Sequence, residues 1–124
     1  MRLKNIVIVV DDVEKSKYFY KDLFGLDVIL DGETNVILTQ GLVLQDRCVL
    51  EQAIAQPIER STNDTILYFE DTDIEDLAKK LAEYPQKIQI LEPFTELPNG
   101  KRYIRFYDLD EHLIEVASWQ QQDR

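Results

Sequence analysis

The sequence predicts an α+β chain made of two βαβββ modules in tandem. Three features point there. Each half opens on an apolar, strand-like run that ends in acidic residues and leads into a helical pattern. Three further short strand patterns follow each helix, separated by turn residues. Aligning Asp12 with Asp71 then lays strand on strand and helix on helix, an internal repeat of one supersecondary unit.

In the first half, the β-branched run at 3–10 is a strand buried on at least one face. Asp12 caps a helix over 13–24, with Gly25 as its C′ residue. Val13, Phe19, Tyr20, Leu23 and Phe24 form its apolar stripe. Residues 26–30, 34–39 and 41–45 are the next three strands, the last two joined by a tight turn at Gln40–Gly41. These elements make a first module over 1–45. Residues 46–63 carry mixed charge, Pro57 and a Ser-Thr-Asn cluster, and are expected to link the modules. Leu50, Ala53 and Ile54 suggest a short helix inside that linker.

The second module spans 64–119. A strand at 64–71 leads into a helix that stops before Pro85, opened by a capping box of Thr72 and Glu75. Ile74, Leu77, Ala78, Leu81 and Ala82 fall on one face of it. A strand at 87–91 follows. An Asn-Gly turn at 99–100 then precedes two strands, 101–108 and 112–118, joined through "DLDE". Residues 120–124 are a tail, and the 124 residues together are one domain.

The net charge of −10 argues against nucleic acid and anionic membranes as partners, since both need a cationic face. It would suit a cationic ligand. Cys48 is the only cysteine, so no internal disulfide can form, and a reducing cytoplasmic location is expected. No apolar run approaches membrane-spanning length.

Two stretches, "IVIVVDDVEKSKYFYKDLFGLDV" at 6–28 and "RFYDLDEHLIEV" at 105–116, resemble signature phrases of the vicinal oxygen chelate superfamily. That superfamily includes glyoxalase I, bleomycin-resistance proteins and extradiol dioxygenases. The resemblance implies a curled mixed sheet forming a concave cup, helices on its convex side, a ligand in the concavity and a homodimer. It also implies a metal set in the metal enzymes of the family, with histidines on the first strand of each half and a closing Glu. Position by position, the closing Glu is Glu115, while the histidine positions fall on Asn5 and Asp64. The remaining first-half position lies around 43–45, where Gln45 is the one polar candidate. The single histidine, His112, is placed by alternation on the face opposite Glu115.

Alternation also sorts the other candidates. Asn5, Asp64, Tyr68, Tyr103, Arg105, Tyr107 and Glu115 face the cup, while Ile104, Phe106, Ile114 and Val116 meet the helices. A mostly apolar wall with a few convergent polar groups is how small-molecule pockets are built. One histidine per chain cannot supply an iron dioxygenase, and Asn5, Asp64 and Glu115 offer oxygen only, which suits Mg²⁺, Mn²⁺ or Ca²⁺ rather than zinc.

Three readings follow. The favoured one is a small-molecule binder, with a cationic ligand as one option, without a histidine-ligated catalytic metal. A second is a divalent-metal lyase or isomerase of glyoxalase type, with Glu115 as ligand or base. The third is a partner-binding module with no small ligand. A plainer role for Glu115 is a half-exposed ion pair with Arg105 across the last hairpin. Lys101 and Arg102 are expected in solvent, His112 at a turn or surface, Cys48 inert, and Trp119 at a packing contact or the mouth of the cup.

Overall fold

The computed structural model describes residues 1–60 and 63–118. The expectations for Trp119 and the tail lie outside these. The chain divides into two compact units, Met1–Glu59 and a second beginning at Arg60. No helix among the described residues is long and apolar enough to cross a membrane.

The first unit runs β1 (Ile6–Val10), α1 (Val13–Phe24), β2 (Val28–Asp31), β3 (Asn35–Leu38), β4 (Leu42–Asp46) and α2 (Arg47–Ile54). Its sheet has the order β1-β4-β3-β2, with β1 parallel to β4 and the other pairs antiparallel. Helix α1 begins and ends where its caps dictate. Asp12 Oδ1 accepts from the Lys15 N–H at 3.0 Å, and Gly25, at φ 68°, donates its N–H to the Lys21 carbonyl at 2.9 Å. The helix packs on β3 and β4. Phe19, Tyr20 and Leu23 are buried with Val36, Leu38 and Leu44 in this core. Full burial of a side chain of that size is worth about 1.5–3 kcal/mol.

The turn between β3 and β4 is a short 3₁₀ segment, Thr39–Gly41, with Gln40 at φ 66° and Gly41 at φ 83°. Gly41 is fitted to it, since a Cβ there would also stand 3.3 Å from the Lys4 carbonyl oxygen. Within the expected linker, α2 forms under the Asp46 cap, whose Oδ1 accepts from the Val49 N–H at 3.0 Å. Arg47 ties the segment down, its Nε donating to Asp11 Oδ1 and its Nη1 to the Ile58 carbonyl, each at 2.7 Å.

The second unit runs β5 (Ile66–Glu70), α3 (Ile74–Glu83), β6 (Ile90–Glu96), β7 (Arg102–Tyr107) and β8 (Leu113–Ser118). Its order, β5-β8-β7-β6, repeats the first unit, again with first and last strands parallel. The α+β tandem of βαβββ modules is therefore the observed topology.

Two local expectations need correction. Helix α3 is not opened by a Thr72–Glu75 capping box. Asp73 is the N-cap, its Oδ1 accepting from the Asp76 N–H at 3.0 Å, and Glu75 reaches instead to Arg102 at 3.1 Å. An aspartate one residue closer to the apolar stripe competes successfully with threonine for the same role. The strand expected at 87–91 lies further on, at Ile90–Glu96. It runs through Pro93 because β6 is an edge strand, where a missing N–H costs no ladder bond.

Helix α3 packs on β7 and β8 and buries Ile74, Leu77 and Leu81. Ala82, expected on the same face, is exposed. Ile104, Phe106, Ile114 and Val116 are buried. With these on the helix side, strand alternation puts Tyr103, Arg105, Tyr107, Leu113, Glu115 and Ala117 on the other face.

Candidate functional site

The polar centre of the second unit is built by strand register. Glu115 on β8 stands directly across from Arg105 on β7 and beside Tyr68 on parallel β5. Residues opposite one another on one sheet face are close enough for their side chains to meet. Arg105 Nε donates to Glu115 Oε1 at 2.7 Å. Arg105 Nη1 donates to Glu92 Oε1, on β6, and the Tyr103 hydroxyl donates to Glu92 Oε2 at 3.1 Å. The guanidinium also lies over the Tyr103 ring, 4.5 Å from its centroid. Lys101 Nζ approaches Glu115 Oε2 at 3.8 Å and the Tyr68 ring centroid at 5.5 Å.

Burial sharpens the arrangement. Glu115 is only 7% exposed, while Tyr68 is 49% exposed. The plainer expectation of a half-exposed carboxylate fails on burial and holds on pairing. Two carboxylates and two cations thus share one patch, half of it out of water. The Arg105 guanidinium is held protonated even more firmly than usual, by its hydrogen bonds to Glu115 and then Glu92. The Glu92 carboxyl is held below its ordinary range, chiefly by the Arg105 hydrogen bond.

That shift fixes a sign. A carboxyl titrating lower in the folded chain adds stability above its unfolded value and loses it as pH falls through its folded value. Wild type is therefore expected to exceed Glu92→Gln in stability at neutral pH. The gap should close as acid unfolding is followed down from about pH 5. Denaturant titrations of both proteins across that range check it, and a gap that widens toward acid would show the pair is not the cause.

The candidate residues divide clearly. Glu115, Arg105, Tyr68 and Tyr103 come together. Tyr107 is engaged elsewhere, its hydroxyl accepting from Asn63 Nδ2 at 2.8 Å. Asp64 is exposed just before β5, and Asn5 is half-buried just before β1 in the first unit. Two members were not anticipated. Lys101 was expected in solvent, yet it stands in odd-numbered step with Tyr103 and Arg105, so alternation alone could have found it. Glu92 fell outside the expected strand, and nothing in its surroundings marks it.

His112 sits at the β7–β8 turn with its Nδ1 2.8 Å from Asp108 Oδ2. Asp108 Oδ1 accepts the N–H groups of Asp110 and His112, each at 2.9 Å. The only imidazole in the sequence is thus tied to a buried aspartate within the hairpin turn.

A divalent cation fits this donor set poorly. Glu115 Oε1 accepts from a guanidinium and Oε2 faces an ammonium, so two positive charges already stand where a cation would need to be. Among the described residues, no group of three or more His, Cys, Asp or Glu side chains could hold a metal ion.

Comparison with known proteins supplies relatives. A family model described as a glyoxalase-like domain matches residues 3–120. The chain is similar to a protein named metallothiol transferase FosB from Staphylococcus epidermidis, 29% identical over 125 residues, covering 98% of this chain and 86% of that one. It is similar to a crystal structure of a protein of unknown function from Agrobacterium tumefaciens strain C58, with a TM-score of 0.81 and 28% identity over 97% of this chain and 95% of that one. A glyoxalase/bleomycin resistance protein/dioxygenase family enzyme from Burkholderia phytofirmans PsJN shares the fold. Its TM-score is 0.82, at 16% identity over 97% of this chain and 100% of that one.

Proposed function

The chain belongs to the glyoxalase-like domain family, and from that premise we propose that it binds a small molecule on the sheet face bearing Glu115, Arg105, Tyr68 and Tyr103, without a histidine-ligated catalytic metal. The observation that carries this is the buried Glu115 carboxylate paired with a partly exposed Arg105, beside a half-exposed tyrosine. An ion pair with a buried member is a weak source of stability compared with apolar packing of the same volume, so its placement beside the exposed part of Arg105 and the half-exposed Tyr68 favours a role in recognition. The family resemblance favours a homodimer, and the lone cysteine, exposed and unpaired, favours the cytoplasm.

A second reading has a specific observation behind it. The FosB relative is named a metallothiol transferase, which favours a divalent-metal enzyme using Glu115, with Asn5 and Asp64 at the positions the histidines would hold. On that reading Glu115 must give up Arg105 and Lys101 to a cation. Metal analysis of untagged protein, followed by titration with Mn²⁺ and Mg²⁺, separates the two. The metal-free reading expects no stoichiometric divalent ion in wild type. Stoichiometric metal that is lost in Glu115→Ala would end it in favour of the enzyme.

A further inference from the structure

We propose, resting on the reading that this sheet face is the ligand face, that Arg105 and Lys101 together replace a metal cation and that their ligand is a small monoanionic carboxylate with an apolar or aromatic body. The first support is a donor and acceptor balance. Both oxygens of Glu92 are engaged, by Arg105 and by the Tyr103 hydroxyl, and both oxygens of Glu115 face a cation. The acidic members therefore have little left to offer a cationic ligand.

The Arg105 guanidinium is in the opposite position. A guanidinium carries five N–H donors in a fixed fork, and an ammonium carries three. Arg105 spends its Nε and Nη1 on the two carboxylates, and its Nη2 meets no partner among the described residues. Its side chain is still 32% exposed, and that of Lys101 is 23% exposed. What this patch can still recognise is an acceptor.

The charge balance narrows the class. Two side-chain cations supply the same positive charge as one divalent ion, and Glu92 and Glu115 cancel it. A neutral patch with a spare guanidinium N–H tolerates one added negative charge better than two, which favours a carboxylate over a phosphate dianion. Tyr68, half-exposed beside Lys101, offers an aromatic surface to the rest of the ligand. The overall charge of −10 points the other way, toward a cationic ligand, but it describes the whole surface and not this face.

The test uses the full chain and three probes of one shape: benzoate, benzamidinium and benzyl alcohol. Backbone amide resonances are followed by NMR during titration, with and without EDTA. Benzoate is expected to shift amides of β5, β7 and β8 and to do so equally in EDTA. Lys101→Gln, which leaves the Arg105–Glu115 pair in place, is expected to weaken benzoate about tenfold, as for loss of one charge-assisted hydrogen bond. Arg105→Lys keeps a charge but removes the fork, and is expected to weaken it as well.

If benzamidinium or benzyl alcohol shifts these amides and benzoate does not, the carboxylate inference falls and the ligand face stands. If every probe acts elsewhere or nowhere, both fall. Loss of benzoate binding in EDTA would overturn the claim that side chains have taken the metal's place.

Discussion

Arg105→Met is expected to lower the unfolding free energy by about 2 kcal/mol at neutral pH, less than for breaking a fully buried ion pair because the Arg105 side chain keeps some contact with water. The reason lies in what remains. Glu115, nearly out of water, would keep only Lys101, 3.8 Å away and partly solvated. A carboxylate in that position has lost its hydrogen-bonded partner without regaining water. Glu92, which is exposed on the edge strand, can turn to solvent and adds little to the loss. The double variant Arg105→Met/Glu115→Leu should recover most of the stability, because a well-packed apolar pair of similar volume often equals a buried ion pair. Urea unfolding of wild type, both single variants and the double variant closes the cycle. A single Arg105→Met within about 0.5 kcal/mol of wild type would mean that Glu115 finds water easily and that the pair is not confined.

The contrast between the two halves of that cycle bears on function. If the apolar double variant is as stable as wild type and has lost benzoate recognition, the ion pair is retained for its ligand. If it loses stability and keeps recognition, the pair belongs to the scaffold alone.

Much of this was legible in the sequence because it rests on period and punctuation. The α1 boundaries follow from Asp12 and Gly25, whose roles are local and need no tertiary context. The facing of β7 and β8 follows from strict alternation, which placed Arg105 and Glu115 on one side and Phe106 and Ile114 on the other. The repeat of strand order needed only the alignment of Asp12 with Asp71.

What failed to show had other causes. The α3 cap involved a choice between Thr72 and Asp73, two good capping residues side by side, which propensity alone does not decide. Strand β6 was misplaced because Pro93 disguises it and its pairing with β7 is interrupted by register shifts. With the strand misplaced, Glu92 could not be seen as the second carboxylate on Arg105. The ties of Arg47 and of Asp108 are likewise long-range or turn-specific hydrogen bonds, which leave no periodic trace.

Asp108 carries the second large effect. Asp108→Ala is expected to cost about 3 kcal/mol, since it leaves the N–H groups of Asp110 and His112 and the His112 ring without the acceptor they share. The Asp108 side chain is almost wholly buried, so water cannot readily replace it. The same turn holds Glu111 at φ 69°, a left-handed conformation that a non-glycine residue adopts only when its surroundings insist. Asp108 supplies that insistence, with its own N–H donating to the His112 carbonyl and its carbonyl accepting from Glu111. The consequence reaches the site through register. The turn sets Tyr107 against Leu113, and therefore Arg105 against Glu115. A slip of one residue would turn Glu115 toward the helix face. His112→Ala removes only the ring contact and should cost about 1 kcal/mol, while Asp108→Asn keeps one acceptor oxygen and should fall between the two. Hydrogen exchange of the β7 and β8 amides, measured beside urea unfolding, is expected to accelerate in the same order. Equal loss in Asp108→Ala and His112→Ala would mean that the imidazole, and not the two backbone groups, is what the carboxylate holds.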